Sequence, residues 1–362
     1  MWLKYTKNML PFRQLCLLKP CGYCGIVQLS DVNTYSLVRL MITMTEIAKL
    51  TRVSQPTVSR VLNGNMNVAP EIRERVLACA REHDYQPNAL AKGLQGSKTH
   101  LLGVLLTDIS NGFFADVAKA VETEARKHGY SIILFNSNYN ADSELEYLDV
   151  VRRYRVDGVL AAPIRETSET WQAYAEKLDV PVVAITRPAR GLDAVYVDHG
   201  EAGGMVARYL TERGYERFLF IGKEYDRKYV GFRRTLTEMG RAEHVVNIVY
   251  RDDGQMKEAL RAYLPDRERR LGVFAGNDIY ALRILSFLRE LEISVPRQAG
   301  VIGFDDTMMG RYLNPSLSSV SQPIGQMARE GVERLLYRIE HPEERQLWDR
   351  PLSATLVPRQ SS

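Results

Sequence analysis

The sequence predicts a multidomain fold: an all-α unit at the front, then an α/β core of two doubly wound parallel-sheet subdomains. Three observations lead there. From Met44 to about Leu94 the apolar residues keep a helical period, and at Leu101 the rhythm switches to short apolar runs alternating with amphipathic stretches. That alternation runs over 101–186 and again over 217–305, the two parts being joined by 194–213. The charge is also divided. Residues 1–40 hold five Lys/Arg against one Asp, and 41–100 hold eight against five acids. Residues 101–362 then carry 35 basic and 38 acidic side chains, so the positive charge is confined to the first hundred residues, where an anionic partner is expected.

A length of 362 residues suits two or three domains. With 45% hydrophobic and 25% charged residues, the composition excludes a disordered, collagenous or membrane-embedded chain. Residues 1–40 show no clear periodicity. Their apolar run 15–18 is cut by Lys19 and Pro20, too short for a signal peptide, so 1–40 reads as an extension ahead of a start at Met41 or Met44. A cytoplasmic protein with no membrane partner is expected. Cys16, Cys21, Cys24 and Cys79 are too few for a disulfide framework. Cys21-Gly-Tyr-Cys24 has C-x-x-C spacing, but no second pair or His cluster completes a metal site. Cys79 falls on the apolar rhythm of Ile72, Val76 and Ala80 and reads as core.

The segment 45–63 carries the sharpest signal. Ile47, Ala48 and Leu50 make one apolar face, Val53 plugs a turn, and Ser54 is placed to cap the next helix. Pro56 fits an early helical position, where its missing N–H costs little. Val58, Val61 and Leu62 turn that second helix inward. Its opposite face shows Gln55, Pro56, Thr57, Ser59 and Arg60, donors and acceptors suited to base edges and phosphates. A third helix over 70–84 starts with Pro-Glu and buries Ile72, Val76 and Leu77. The pattern is that of a helix-turn-helix; the alternative is a structural bundle with a solvated polar face.

In the core, apolar runs at 101–107, 131–136, 157–163, 180–186, 217–222, 245–250, 271–276 and 299–305 predict strands. Helical stretches fall at 114–128, 143–154, 201–213, 230–240, 278–291 and 324–340. Continuous apolar strands between helices indicate parallel sheets covered on both faces, with right-handed crossovers. Two such halves bring their carboxyl strand ends to a shared cleft. No G-x-G-x-x-G, P-loop, HExxH or GxSxG sequence occurs, and no metal or cofactor is expected.

Residues 45–63 and Tyr85-Gln-Pro-Asn-Ala-Leu-Ala-Lys-Gly-Leu94, followed in order by 97–104, 108–114, Gly276-Asn-Asp278 and Gly303-Phe-Asp-Asp306, resemble the LacI/GalR family of bacterial transcription regulators over essentially all of 41–358. The resemblance implies a DNA-binding domain over 41–86, a hinge helix and linker over 87–98, and over 99–362 an effector-binding and dimerisation domain like a periplasmic sugar-binding protein. It places Gln55, Pro56 and Arg60 in the major groove, with Thr45, Ser54, Thr57, Ser59, Asn63 and Asn88 among the DNA contacts. It also makes Leu94 an apolar wedge for the minor groove, a step that can unstack a base pair and bend the duplex; a buried linker leucine is the alternative.

The same resemblance implies the effector contacts. Phe113 and Phe114 sandwich a sugar ring or else belong to the core, and Asn111 adds an amide. Arg187, Asn277, Asp305 and Gln322 follow strands or the Ser-Gln-Pro crossover, where each alone is equally a cap or turn residue. Two departures stand out. Lys228 occupies a position usually held by Arg, and Thr186 one where an acid often precedes the sugar-binding Arg. Arg165, unless it is a surface residue, adds a further cation, and fewer acids with more cations would suit a sugar phosphate or sugar acid. The expected function is a homodimeric repressor of a pseudo-palindromic double-stranded operator, controlled by a sugar, sugar-phosphate or sugar-acid effector. Absence of a terminal heptad repeat favours a dimer over a tetramer. A transporter's solute-binding protein would need a signal peptide and no helical front domain. An enzyme would need a nucleophile or acid–base pair that the sequence does not assemble.

Overall fold

The computed structural model describes residues 42–62, 64, 67–85, 98–164, 171, 180–223, 226–241, 245–264 and 269–362. These form two compact units that divide between residues 87 and 88. Among the described residues no helix is long and apolar enough to cross a membrane. Cys21 and Cys24 lie outside the described residues.

The first unit is three helices: α1 (Met44–Thr51), α2 (Gln55–Leu62) and α3 (Pro70–Glu82). Thr43 and Glu46 form a reciprocal capping box that starts α1, and Arg52 ends it in the left-handed conformation. Ile47, Ala48, Val58, Val61, Val68, Val76 and Ala80 make the core, with Val53, Leu62, Ile72, Leu77 and Cys79 packed on its margin. The expectation for Leu50 is corrected: it is 59% exposed. Three residues beyond Ile47 the helix has turned 60° short of a full revolution, which carries Leu50 away from the seam. Thr51 takes the inner place instead, its hydroxyl donating to the Ile47 carbonyl at 2.6 Å.

The second unit holds two six-stranded sheets. In the first half, β1 (Leu101–Leu106), β2 (Ser131–Asn136), β3 (Gly158–Ala161), β4 (Val182–Thr186) and β5 (Asp193–Val197) lie with β11 (Asp349–Leu352) in the order β11-β5-β4-β3-β1-β2, all parallel. In the second, β6 (Arg217–Gly222), β7 (Val245–Val249), β8 (Leu271–Ala275), β9 (Ala299–Phe304) and β10 (Ser318–Ser321) lie with β12 (Thr355–Val357) in the order β12-β10-β9-β8-β6-β7. Only β12 runs antiparallel, paired to β10. The central strands are buried along nearly their whole length, as strands covered on both faces must be.

The covering helices are α4 (Gly112–Lys127), α5 (Ala141–Tyr154), α6 (His199–Glu212), α7 (Arg227–Glu238), α8 (Asp253–Tyr263), α9 (Asp278–Glu290), the short α10 (Met308–Arg311) and α11 (Ile324–Glu340). The chain passes between the halves three times: after β5, after β10, and between β11 and β12. Four strands and the helices α8 and α10 go beyond the sequence expectation. The segment 194–213, read as a joiner, begins as the end of β5. β10 is rich in hydroxyl side chains, and β11 is an edge strand containing Pro351, so neither shows the apolar run that marks a strand.

Candidate functional site

On the first unit, Ser54 stands at the N-terminal edge of α2, its carbonyl accepting from the Thr57 and Val58 N–H groups at 2.9 and 3.1 Å. Its hydroxyl pairs with that of Thr57 at 2.8 Å rather than with a backbone N–H. Val58 and Val61 hold α2 against the core, which leaves Gln55, Pro56 and Arg60 exposed and Thr57 and Ser59 half-buried. Thr45 is exposed on α1. The face offers an amide that can both donate and accept and a guanidinium that can donate in a fork, the donor set that reads base edges. Asn63, Asn88, Leu94 and Arg165 lie outside the described residues.

On the second unit, the carboxyl ends of both sheets meet at a cleft of about 560 Å³, measured with its open mouth. Asn111, Phe113 and Phe114 enter it from beyond β1, Thr186 and Arg187 from the end of β4, and His199 from beyond β5. The second half contributes Lys223, Asp226 and Lys228 after β6, Asn277 after β8, Asp305 after β9 and Gln322 after β10. This is the position where open parallel sheets hold ligands, because strand ends there release the chain into loops at the point of reversal.

Several of these side chains already have structural work. Asn111 caps α4 by accepting from the Phe113 N–H at 3.1 Å, and Asn277 caps α9 by accepting from the Tyr280 N–H at 2.9 Å. Asp305 is a buried carboxyl in a positive-φ conformation (112°). Gln322 donates to it at 2.8 Å, and the Asn111 side chain also bonds to it. Burial, then the nearby Asp278, pushes the Asp305 carboxyl up to about 8. Asp278 accepts from the Thr307 N–H and hydroxyl and from the Ser319 hydroxyl, yet burial still raises it to about 6. The Gln322 Oε1 is buried with no hydrogen-bond partner.

The cations are arranged differently. Lys228 lies 3.5 Å from the Asp226 carboxylate and 4.4 Å over the Phe304 ring. Lys223 sits 4.2 Å over the Tyr139 ring, and burial, then Arg187 and Lys228, pushes it down to about 8. Arg187 donates to the Ile164 carbonyl at 3.1 Å. His199 packs edge-on against Phe304; burial first, then the charges of Lys228, Arg187 and Arg227, holds its imidazole well below the usual range, so it is neutral near pH 7.

The expected aromatic sandwich needs correction. Phe113 and Phe114 are successive residues of α4 whose rings meet at 68°, so they cannot stand as parallel walls on opposite sides of a sugar. Sequence reading also passed over Tyr139, His199, Lys223, Asp226, Tyr280 and Phe304. Tyr139 and Lys223 each come just after a legible apolar run, and that position was the available signal. His199 follows β5, most of which falls in the segment 194–213, a joiner by its sequence.

A helix-turn-helix unit and a two-half, ligand-cleft core on one chain define the class of DNA-binding regulators with a small-molecule sensor. Residues 43–88 match the model of bacterial regulatory proteins of the lacI family, and 207–362 match the periplasmic binding protein-like domain. The chain is 34% identical to catabolite control protein A of Priestia megaterium, over 78% of this chain and 88% of that protein. It is 32% identical to the ribose operon repressor of Halalkalibacterium halodurans, over 83% and 91%. Among solved structures, a periplasmic binding protein/LacI transcriptional regulator from Alkaliphilus metalliredigens QYMF, complexed with D-xylulofuranose, is similar at TM-score 0.64 and 26% identity, over 73% of this chain and 99% of that one. The chain belongs to the lacI family of bacterial regulatory proteins.

Proposed function

We propose that this protein is a transcriptional repressor whose affinity for a pseudo-palindromic operator is set by a small sugar or sugar-derived effector in the cleft. The observation that carries this reading is the meeting of Asp305, Gln322 and Asn111 from both halves as a buried, mutually hydrogen-bonded polar set at the strand ends. Such a set grips hydroxyl groups by accepting and donating at once. The repressors and the sugar complex among its relatives support the same assignment, and the cleft is read as a binding site rather than a catalytic one.

In this reading α2 enters the major groove and Gln55 and Arg60 meet base edges. One helix-turn-helix covers one half-site, so tight binding uses a two-fold homodimer. Effector closes the two halves about the three crossing segments, as hinged binding domains do. Closure changes the spacing of the two DNA-binding units in the dimer. The coupling amounts to roughly 1–3 kcal/mol and is reciprocal, so operator DNA must alter effector affinity by the same factor.

The test is an electrophoretic shift on DNA upstream of the protein's own gene, with and without a panel of sugars and their derivatives. Wild type is expected to shift that DNA at lower concentration than random DNA and to respond to one member of the panel. Asp305→Ala is expected to shift the DNA equally well and to ignore that compound. A folded wild-type protein that does not discriminate the DNA, or an Asp305→Ala protein with a full response, overturns the assignment.

A further inference from the structure

Among the described residues that line the cleft, the charges do not balance. Arg187, Lys223 and Lys228 face it, and among the described lining residues Asp226 is the one carboxylate engaged with a cation, at 3.5 Å from Lys228. Lys223 is covered by an aromatic ring and Arg187 by a backbone carbonyl; among the described residues neither forms an ion pair. Glu144, whose field reaches Arg187, is held by the Ile164 N–H and the Trp171 indole and does not line the cleft. Among the described lining residues, even with Asp305 counted as ionised, there is one surplus positive charge; with Asp305 protonated there are two. The residue before Arg187 is Thr186, whose hydroxyl brings no charge.

We propose that the effector is an anionic sugar derivative, a sugar acid or a sugar phosphate, whose charged group lies among Arg187, Lys223 and Lys228 while its hydroxyls meet Asp305, Gln322 and Asn111. This rests on the reading of the cleft as the effector site. An anion there replaces cation–cation repulsion with charge-assisted hydrogen bonds, which are about twice as strong as neutral ones. A sugar hydroxyl supplies the donor that the buried Gln322 Oε1 lacks. Burial, then the neighbouring Arg187 and Lys228, lowers the Lys223 ammonium, and Asp226 only partly opposes them.

Calorimetric titration of the full chain with matched sets distinguishes the possibilities: each aldohexose and aldopentose, its aldonate and its terminal phosphate ester, with inorganic phosphate alone as a further probe. In one set an anionic member is expected to bind at least about tenfold tighter than the neutral parent. The aldonate and ester arms show which anion is preferred. Lys223→Met is expected to remove that advantage and Lys223→Arg to keep most of it, with circular dichroism confirming the fold. Should Lys223→Met fail to fold, Arg187→Met makes the same test. A neutral sugar that binds as tightly as its acid and ester overturns the anionic inference and leaves the effector cleft intact. Inorganic phosphate binding as tightly as the best ester overturns the sugar part of it. Failure of every set to bind folded protein overturns both the inference and the effector reading beneath it.

Discussion

Gly231→Ala tests the packing that places the cleft cations. α6 and α7 cross with their backbones in contact, and a Cβ at Gly231 would stand 1.8 Å from the Gly200 carbonyl oxygen and 2.7 Å from its Cα. Gly203 has the same constraint, its Cβ falling 2.0 Å from the Lys228 carbonyl oxygen. Ordinary contact begins near 3.4 Å, so the helices must separate by roughly 1.6 Å at the crossing to admit one methyl group. Overpacking of a rigid interior costs about 1–3 kcal/mol, and because the obstacle is backbone, which no rotamer change relieves, the upper end applies. Alanine's better helix propensity returns roughly 0.5–1 kcal/mol. The net loss is then about 2 kcal/mol, or a fall in Tm of about 4–8 °C for a domain of this size. Gly325→Ala in α11 is the matched control, since a Cβ there meets nothing within 4 Å. Scanning calorimetry of both variants compares a backbone clash with open space. Because α7 carries Lys228, Gly231→Ala is also expected to weaken effector binding. If the two variants melt within a degree of each other, the close helix crossing and its role in the cleft are refuted.

Two further predictions follow from single side chains. Asp305 has an ordinary value of 3.8 and about 8 in the fold, so its contribution to stability is complete below pH 3.8 and is lost as pH rises through about 8. Asp305→Asn is expected to melt higher than wild type at pH 8 and to show a flatter stability profile from pH 4 to 8, with a residual slope below pH 6 from Asp278; identical profiles for the two proteins would dismiss the buried carboxyl as its source. Arg60→Ala is expected to weaken operator binding by about 1–3 kcal/mol while leaving random-DNA binding nearly unchanged, as anisotropy titration would show. Equal losses on both would make Arg60 a phosphate contact.

What the chain determines locally could be read from it. The 3.6-residue rhythm of Ile47, Ala48, Val58 and Val61 marks two packed helices, because side chains that share a helix face are set by spacing alone. Runs such as 101–106 and 217–222 mark strands buried on both faces for the same reason. The order of apolar run and helix also announced two halves with a cleft between them. Residues just beyond those runs, Arg187, Asn277 and Asp305, are placed at its mouth by the sequence alone, with the family resemblance supplying their roles.

Tertiary structure decided the rest. β10, β11 and β12 are strands because a neighbour at the sheet edge accepts their backbone hydrogen bonds; their own side chains carry little strand signal. Leu50 faces outward although it is apolar, since the seam of a helix eight residues long is only as wide as its partners make it. The electrostatics were the least legible of all. Nothing in the spacing of Arg187, Lys223, Lys228 and His199 says that they share one cleft. The lowered values of Lys223 and His199, and the raised Asp305, arise first from burial, which only the folded cleft supplies. A side chain's charge is written in its residue type, but the energy of that charge depends on which distant groups and how much solvent surround it.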